Sequence, residues 1–252
     1  MRIFIDGYGV VAQSVLRKLL ENHNVKKQDI LVNTYKIVDN GILLNYLNEN
    51  GINYFCEKYN EHSVKSVRKF NPHYIISAYG RRILPQEILS FAQRMAFNFH
   101  PSLLPNYKGC FSSAWTIINK ENKTGITFHE MVEEIDAGNI LFQEEVLIDS
   151  EDTAYSLYNK LASKFIQVFD EFFFKLNTYQ ITPRKMPEGG EYYPRRIPFG
   201  GIINPEWEDS KVEAFIRGIH FPPFRGASLP NEMGGWECES VAEYKQKILK
   251  YI

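Results

Sequence analysis

Apolar and polar positions follow two periods along this chain. Ile3-Phe4-Ile5 predicts a buried strand over residues 2–6, and Val11, Val15 and Leu19, with Leu16 and Leu20 beside them, mark one face of a helix. The alternation continues with strands predicted at residues 29–33, 52–55 and 73–77. Between them lie helices around residues 42–48, closed by Gly51, and 63–70, halted by Asn71-Pro72. A helix near residues 85–91 leads into a strand that ends in Asn98-Phe99-His100, and a loop punctuated by Pro101, Pro105 and Gly109 follows. Residues 112–119 read as helix, and residues 125–131 and 140–148 as strands. Short strands alternating with helices predict an α/β fold, with a doubly wound and mostly parallel sheet covered on both faces.

A long amphipathic helix comes next. Its stripe of Leu157, Leu161, Phe165, Val168 and Phe172 reads as core, not as a cofactor box. Past Pro183 the chain becomes rich in Pro, Gly, Arg and Tyr, punctuated like hairpins and turns. The expected organisation is a catalytic domain over residues 1–180 and a smaller β-rich or mixed C-terminal subdomain over 181–252. Internal repeats and low-complexity tracts are absent from the sequence.

Composition narrows the function classes. With 252 residues, 44% of them hydrophobic, the chain can bury a large core and a small accessory unit. A formal net charge of -1 gives no global pull toward nucleic acid or an anionic membrane. Cys56, Cys110 and Cys238 are scattered, which fits free thiols in a reducing compartment. No apolar run approaches the ~20 residues that span a bilayer, and the first residues enter a strand pattern directly. A cytoplasmic protein is expected.

Two stretches carry candidate chemistry. Gly7-Tyr8-Gly9-Val10-Val11-Ala12 resembles the start of a dinucleotide fingerprint, but the second strand ends in Asn33-Thr34-Tyr35 where that fingerprint wants an acid. A tight strand-to-helix turn is the simpler reading; a nicotinamide-dependent reductase is the alternative. Asn98 and His100 leave the same side of their strand at its carboxyl end, where ligands of parallel sheets sit. Lys108 and Gly109 follow in the next loop, and Asp136 lies in another loop that precedes a strand. A neutral histidine beside a carboxylate could move protons while an amide donates to a developing oxyanion. His100, His129 and Asp136 could also bind a metal, but no tight pair such as HxxxH is present, and no metal is predicted.

The stretch FNFHPSLLPNYKG at residues 97–109, followed by TGITFHEMVEEIDAGNIL, resembles the folate-dependent formyltransferases. The resemblance is strong over roughly residues 70–150. It implies a Rossmann-like formyltransferase core and a catalytic set of Asn98, His100 and Asp136. It also implies N10-formyltetrahydrofolate as formyl donor, with the pterin against Arg81, Ile83, Ile135 and Asp136. The tail, YYPRRIPFGGIINPEW then VEAFIRGIHFPPFRGA, is similar to that of nucleotide-sugar N-formyltransferases of bacterial surface-polysaccharide pathways. That similarity implies a nucleotide-linked amino-dideoxy sugar as acceptor. A dTDP-linked sugar with its amine at C3 or C4 is expected, GDP sugars being known acceptors in the group. Lys108, His129, Arg217 and Arg225 are the acceptor-binding candidates, arginine's planar fork suiting phosphate oxygens. A homodimer is expected. Methionyl-tRNA and glycinamide ribonucleotide formyltransferases are the alternatives within the family.

Overall fold

A computed structural model describes residues 1–36 and 40–250. The first apolar run forms β1 (Ile3–Gly7), buried along its whole length. Helix α1 (Gly9–Asn22) buries Val11, Ala12, Val15, Leu16 and Leu19, the face its spacing predicts. β2 (Ile30–Asn33), α2 (Gly41–Asn50), β3 (Asn53–Phe55), α3 (Glu61–Phe70) and β4 (Tyr74–Ala78) follow. Gly51 caps α2 in the left-handed region, whereas Asn71 does so for α3. At the other end of α3, Asn60 and Ser63 form a reciprocal capping box that satisfies the first free amides.

After the short α4 (Gln86–Leu89), β5 (Met95–His100) enters the sheet. The two-residue β6 (Lys108–Gly109), α5 (Ser112–Ile118), β7 (Lys123–Glu130), β8 (Ile140–Leu147) and α6 (Ala154–Asn177) complete the first two thirds of the chain. The main sheet runs β3-β2-β1-β4-β5-β7-β8. β1 to β5 pair in parallel, and β7 joins β5 antiparallel, so the fold is α/β with a mostly parallel sheet, as expected.

The stripe on α6 is core. Leu157, Leu161, Phe165, Phe169, Phe172 and Phe173 are at most 1% exposed, whereas Val168, expected in the stripe, is only half-buried. Phe128 of β7 stacks on Phe172 with ring centroids 3.9 Å apart, and Phe99 of β5 stacks on Phe165 at 5.1 Å. Such pairs add roughly 0.5–1.5 kcal/mol each to the burial of their area.

The chain divides into two interleaved compact units. One comprises Met1–His100, Thr127–Gln143 and Ala162–Pro187, the other Pro101–Ile126, Glu144–Leu161 and Glu188–Ile252. The expected break near residue 180 therefore falls seven or so residues before the tail enters the second unit, and residues 101–126 and 144–161 belong with the tail.

The tail is mixed, with more helix than strand among long irregular stretches, which corrects the hairpin reading. Its strand β9 (Tyr192–Tyr193) pairs in parallel with β6, and α7 (Asp209–Ile219) and α8 (Val241–Ile248) follow. Ile118 of α5, Val212, Phe215 and Ile219 of α7, and Tyr244 and Ile248 of α8 share one buried cluster with Cys238. Cys56, Cys110 and Cys238 form no disulfide. Among the described residues no helix is long and apolar enough to cross a membrane.

Candidate active site

Strand alternation sorts the end of β5 into two faces. Phe97 and Phe99 turn to the aromatic core of α6, with Phe97 and Phe172 centroids 5.4 Å apart. Asn98 and His100 consequently leave on the opposite face. Antiparallel pairing with β7 then sets Asn98 directly across from His129, and His100 across from Thr127. Asp136 arrives from the loop between β7 and β8, with its backbone in the left-handed region at φ 54°. Aspartate tolerates this conformation better than most residues, though not without strain.

Four side chains thereby share one buried polar cluster. Nδ2 of Asn98 lies 3.1 Å from Nε2 of His129, and Nδ1 of His129 lies 2.8 Å from the Glu130 carbonyl. That carbonyl can only accept, so Nδ1 carries the proton in the neutral ring and Nε2 accepts from the Asn98 amide. The Asp136 carboxylate stands between two imidazoles, 3.4 Å from Nδ1 of His100 and 3.4 Å from Nε2 of His129. The His100, His129 and Asp136 side chains are 4%, 2% and 8% exposed, so their mutual electrostatics are little screened by water. His100, His129 and Asp136 each offer one ligand atom within 4.8 Å of the others. This is a donor set that divalent metals accept, so the lack of an HxxxH pair does not decide the matter.

The donor-side candidates lie in the same unit. Ile83 is 71% exposed in the loop that follows β4, and Arg81 in that loop lies over the Tyr8 ring, 5.2 Å from its centroid. Ile135 is half-buried beside Asp136.

The acceptor-side candidates are distributed differently. His129 belongs to the polar cluster itself. Lys108, Arg217 and Arg225 lie in the second unit. Arg217 donates from Nη1 to the Asp152 carbonyl at 2.7 Å, tying α7 to the turn before α6. Arg225 is more than half exposed, pairs with Glu237 at 3.0 Å through Nε and donates to the Gly235 carbonyl. These contacts give Arg217 a structural task that its motif did not suggest.

The reductase reading fails on local geometry. The Gly9 amide at the start of α1 donates at 2.9 Å to Oδ1 of the buried Asn40, whose Nδ2 donates to Thr34 and to the Tyr35 carbonyl. A dinucleotide fingerprint leaves such amides to face phosphate. Sequence reasoning passed over Asp6, whose signal was an acid closing an otherwise apolar strand; the carboxylate is fully buried and hydrogen-bonded to Tyr35 and Tyr59.

Known proteins share much of this sequence and fold. The GDP-perosamine N-formyltransferases of Brucella melitensis and Brucella abortus are each 34% identical over 246 residues, covering 97% of this chain and 94% of theirs. The crystal structure of the N-formyltransferase from Helicobacter canadensis in complex with folinic acid and dTDP-3-aminofucose is 26% identical. It superposes with a TM-score of 0.77 over 89% of this chain and 82% of that one. A sugar 3N-formyl transferase solved with dTDP and 5-N-formyl-THF is also 26% identical, with a TM-score of 0.75 over 89% of this chain and 81% of its own. The formyl transferase family model matches residues 3–171, which include β5, the Asp136 loop and all four residues of the polar cluster, and the chain belongs to that family.

Proposed function

We propose that the protein transfers the formyl group of N10-formyltetrahydrofolate to the amine of a nucleotide-linked amino sugar. The observation that carries the reading is the convergence of Asn98, His100 and Asp136 in one buried cluster at the carboxyl end of β5. In the reaction, the amine nitrogen attacks the formyl carbon and a new C–N bond forms. The tetrahedral species carries negative charge on the formyl oxygen, toward which the Asn98 amide and a protonated His100 donate. One such donor is worth about 3–4 kcal/mol of barrier. Asp136 holds His100 and takes part in moving the amine proton to the folate nitrogen, whose bond to the formyl carbon breaks. The products are the formamide and tetrahydrofolate, with atoms and charge balanced. His129, bonded to the Asn98 amide, supports it from behind.

On the donor side, exposed Ile83, Arg81 and Ile135 are the contacts for the pterin. On the acceptor side, the 34% identity to enzymes named for GDP-perosamine favours a 4-amino-4,6-dideoxyhexose on GDP over the dTDP sugar expected from the tail motif. Lys108 and Arg225 are the side chains for the diphosphate. Tail residues Ile197, Phe199, Phe224 and Trp236 are 49–63% exposed, which supports a homodimer formed through the tail, to be read by light scattering.

Incubation with N10-formyltetrahydrofolate and a panel of GDP- and dTDP-linked amino sugars, followed by mass spectrometry, tests the reading. A gain of one formyl group on a nucleotide sugar, dependent on the folate, is expected. Formylation of methionyl-tRNA or glycinamide ribonucleotide in its place, or of nothing in the panel, would replace it.

A further inference from the structure

Asp6 closes the apolar run of β1 and is fully buried. A carboxylate in such a place is costly unless several donors hold it. The Tyr35 hydroxyl donates to Oδ1 at 2.7 Å, the Tyr59 hydroxyl to Oδ2 at 2.7 Å, and the Asn33 amide lies 3.3 Å from Oδ2. Burial pushes the Asp6 carboxyl up to about 6, with both tyrosines and Arg82 pulling the other way. At neutral pH it is therefore mainly ionised.

Tyr59 holds the carboxylate and Asn33 but bonds no residue of the loop that follows β4, whereas Tyr35 passes the interaction on directly. The oxygen that donates to Asp6 also accepts the backbone N–H of Arg81. Arg82 lies over the Tyr35 ring, 4.2 Å from its centroid, and donates to the Asn33 side chain at 3.2 Å and the Thr34 carbonyl at 3.3 Å. Gly80 approaches so closely that a Cβ there would stand 2.6 Å from Oδ1 of Asp6. Gly80 thus lies against the carboxylate, and residues 81 and 82 are bonded to its partners Tyr35 and Asn33. The loop they form starts just beyond Ser77, which pairs with Asn98, and it carries the exposed Ile83.

We propose that Asp6 and Tyr35 are positioning residues for formyl transfer: the buried carboxylate, relayed through the Tyr35 hydroxyl to the Arg81 amide, sets loop 79–84 for the folate donor. The proposal rests on the donor reading above. A hydroxyl that donates to an anion becomes a better acceptor, so the charge on Asp6 strengthens the bond to the Arg81 amide. Ile83 is exposed and gains little from packing within the chain, so between β4 and buried Leu84 the loop is held by the Arg81 amide and the Arg82 side chain. Without that hold, the ordering of the loop is charged against binding of the donor.

Two near-identical deletions separate positioning from mere stability. Tyr35→Phe removes the relay and leaves the ring under Arg82. Tyr59→Phe removes an equally short bond to the same carboxylate with no direct bond to the loop. Initial rates with donor and acceptor varied in turn, and hydrogen exchange of residues 79–84, are measured for both and for Asp6→Asn. Tyr35→Phe is expected to raise the KM for donor by about tenfold, as loss of one buried hydrogen bond allows. It should leave kcat and the acceptor KM within about twofold and accelerate exchange in the loop. Asp6→Asn should follow Tyr35→Phe in direction. Tyr59→Phe is expected to lower stability alone. Equal donor KM values in the two tyrosine variants would overturn the proposal, as would unchanged loop exchange in Tyr35→Phe. Wild-type protein that makes no use of the folate would sink the functional reading instead, and the exchange data would still judge the relay.

Discussion

A donor aimed at a developing oxyanion helps only if its direction is set before the reaction begins. Asn98 meets that condition through His129, whose Nδ1–H is committed to the Glu130 carbonyl and whose Nε2 holds the amide at 3.1 Å. Asn98→Ala and His100→Ala are each expected to lower kcat by about 10²–10³. His129→Phe should cost less, because the amide remains but swings. Adding His129→Phe to Asn98→Ala should then do little more, a non-additivity that a double-mutant cycle reads directly. Full additivity would show that His129 acts on its own. The same cluster predicts a response to metals. Zinc needs His100 and His129 with free lone pairs and Asp136 ionised, the groups the reaction uses for proton movement. Treatment with EDTA is expected to leave formyl transfer unchanged, and added zinc to inhibit it with protection by lower pH. Activity lost to EDTA and restored by metal would assign these residues a metal.

At the scale of elements, the approach of the Asp136 loop to β7 is the tightest constraint on the site. A Cβ on Gly138 would stand 2.1 Å from the Glu130 carbonyl oxygen, a backbone atom that cannot turn aside. Gly138→Ala is therefore expected to lower stability by about 1–3 kcal/mol and to reduce kcat by displacing Asp136. Unfolding curves and initial rates check both, and a fully active, fully stable variant would show that the loop yields freely. Much of this scale was legible in the sequence. The two periods located β1 to β5 and α1 to α3, and strand alternation put Asn98 and His100 on one face. The neighbour of β5 was not legible, because antiparallel pairing with β7 depends on contacts some 30 positions apart, as between Asn98 and His129. Helices α7 and α8 were lost among prolines and glycines. Val212, Phe215, Ile216 and Ile219 do have helical spacing, but the flanking texture drew attention to turns. The contact of Arg217 with the Asp152 carbonyl was equally hidden, since a basic residue in a motif looks the same whether it awaits a phosphate or ties a helix to a turn.

For the molecule as a whole, buried charge shapes the dependence of stability on pH. Two kinds of carboxylate act in opposite directions. Burial alone would raise the Asp170 carboxyl, but Lys18, Asn22 and His23 outweigh it and hold the group below its ordinary value. Its contribution is present above the unfolded pKa and fades as pH falls. Asp6 behaves in reverse: with a folded pKa of about 6 against 3.8, its protonated form favours the fold. Its contribution is complete below pH 3.8 and is lost as pH rises through about 6. The groups facing it are Tyr35, Tyr59, Asn33 and Arg82, none of which changes charge in that window. The stability of Asp6→Asn relative to wild type is thus expected to rise between pH 4 and pH 7, by up to about 3 kcal/mol for a shift of this size. Urea unfolding at half-unit pH intervals measures the difference, and the two proteins should diverge mainly between pH 4 and 6. Parallel curves would mean that the Tyr35 and Tyr59 hydroxyls, Asn33 and the Arg82 charge offset the burial completely, leaving Asp6 ionised across this range with its bond to Tyr35 intact.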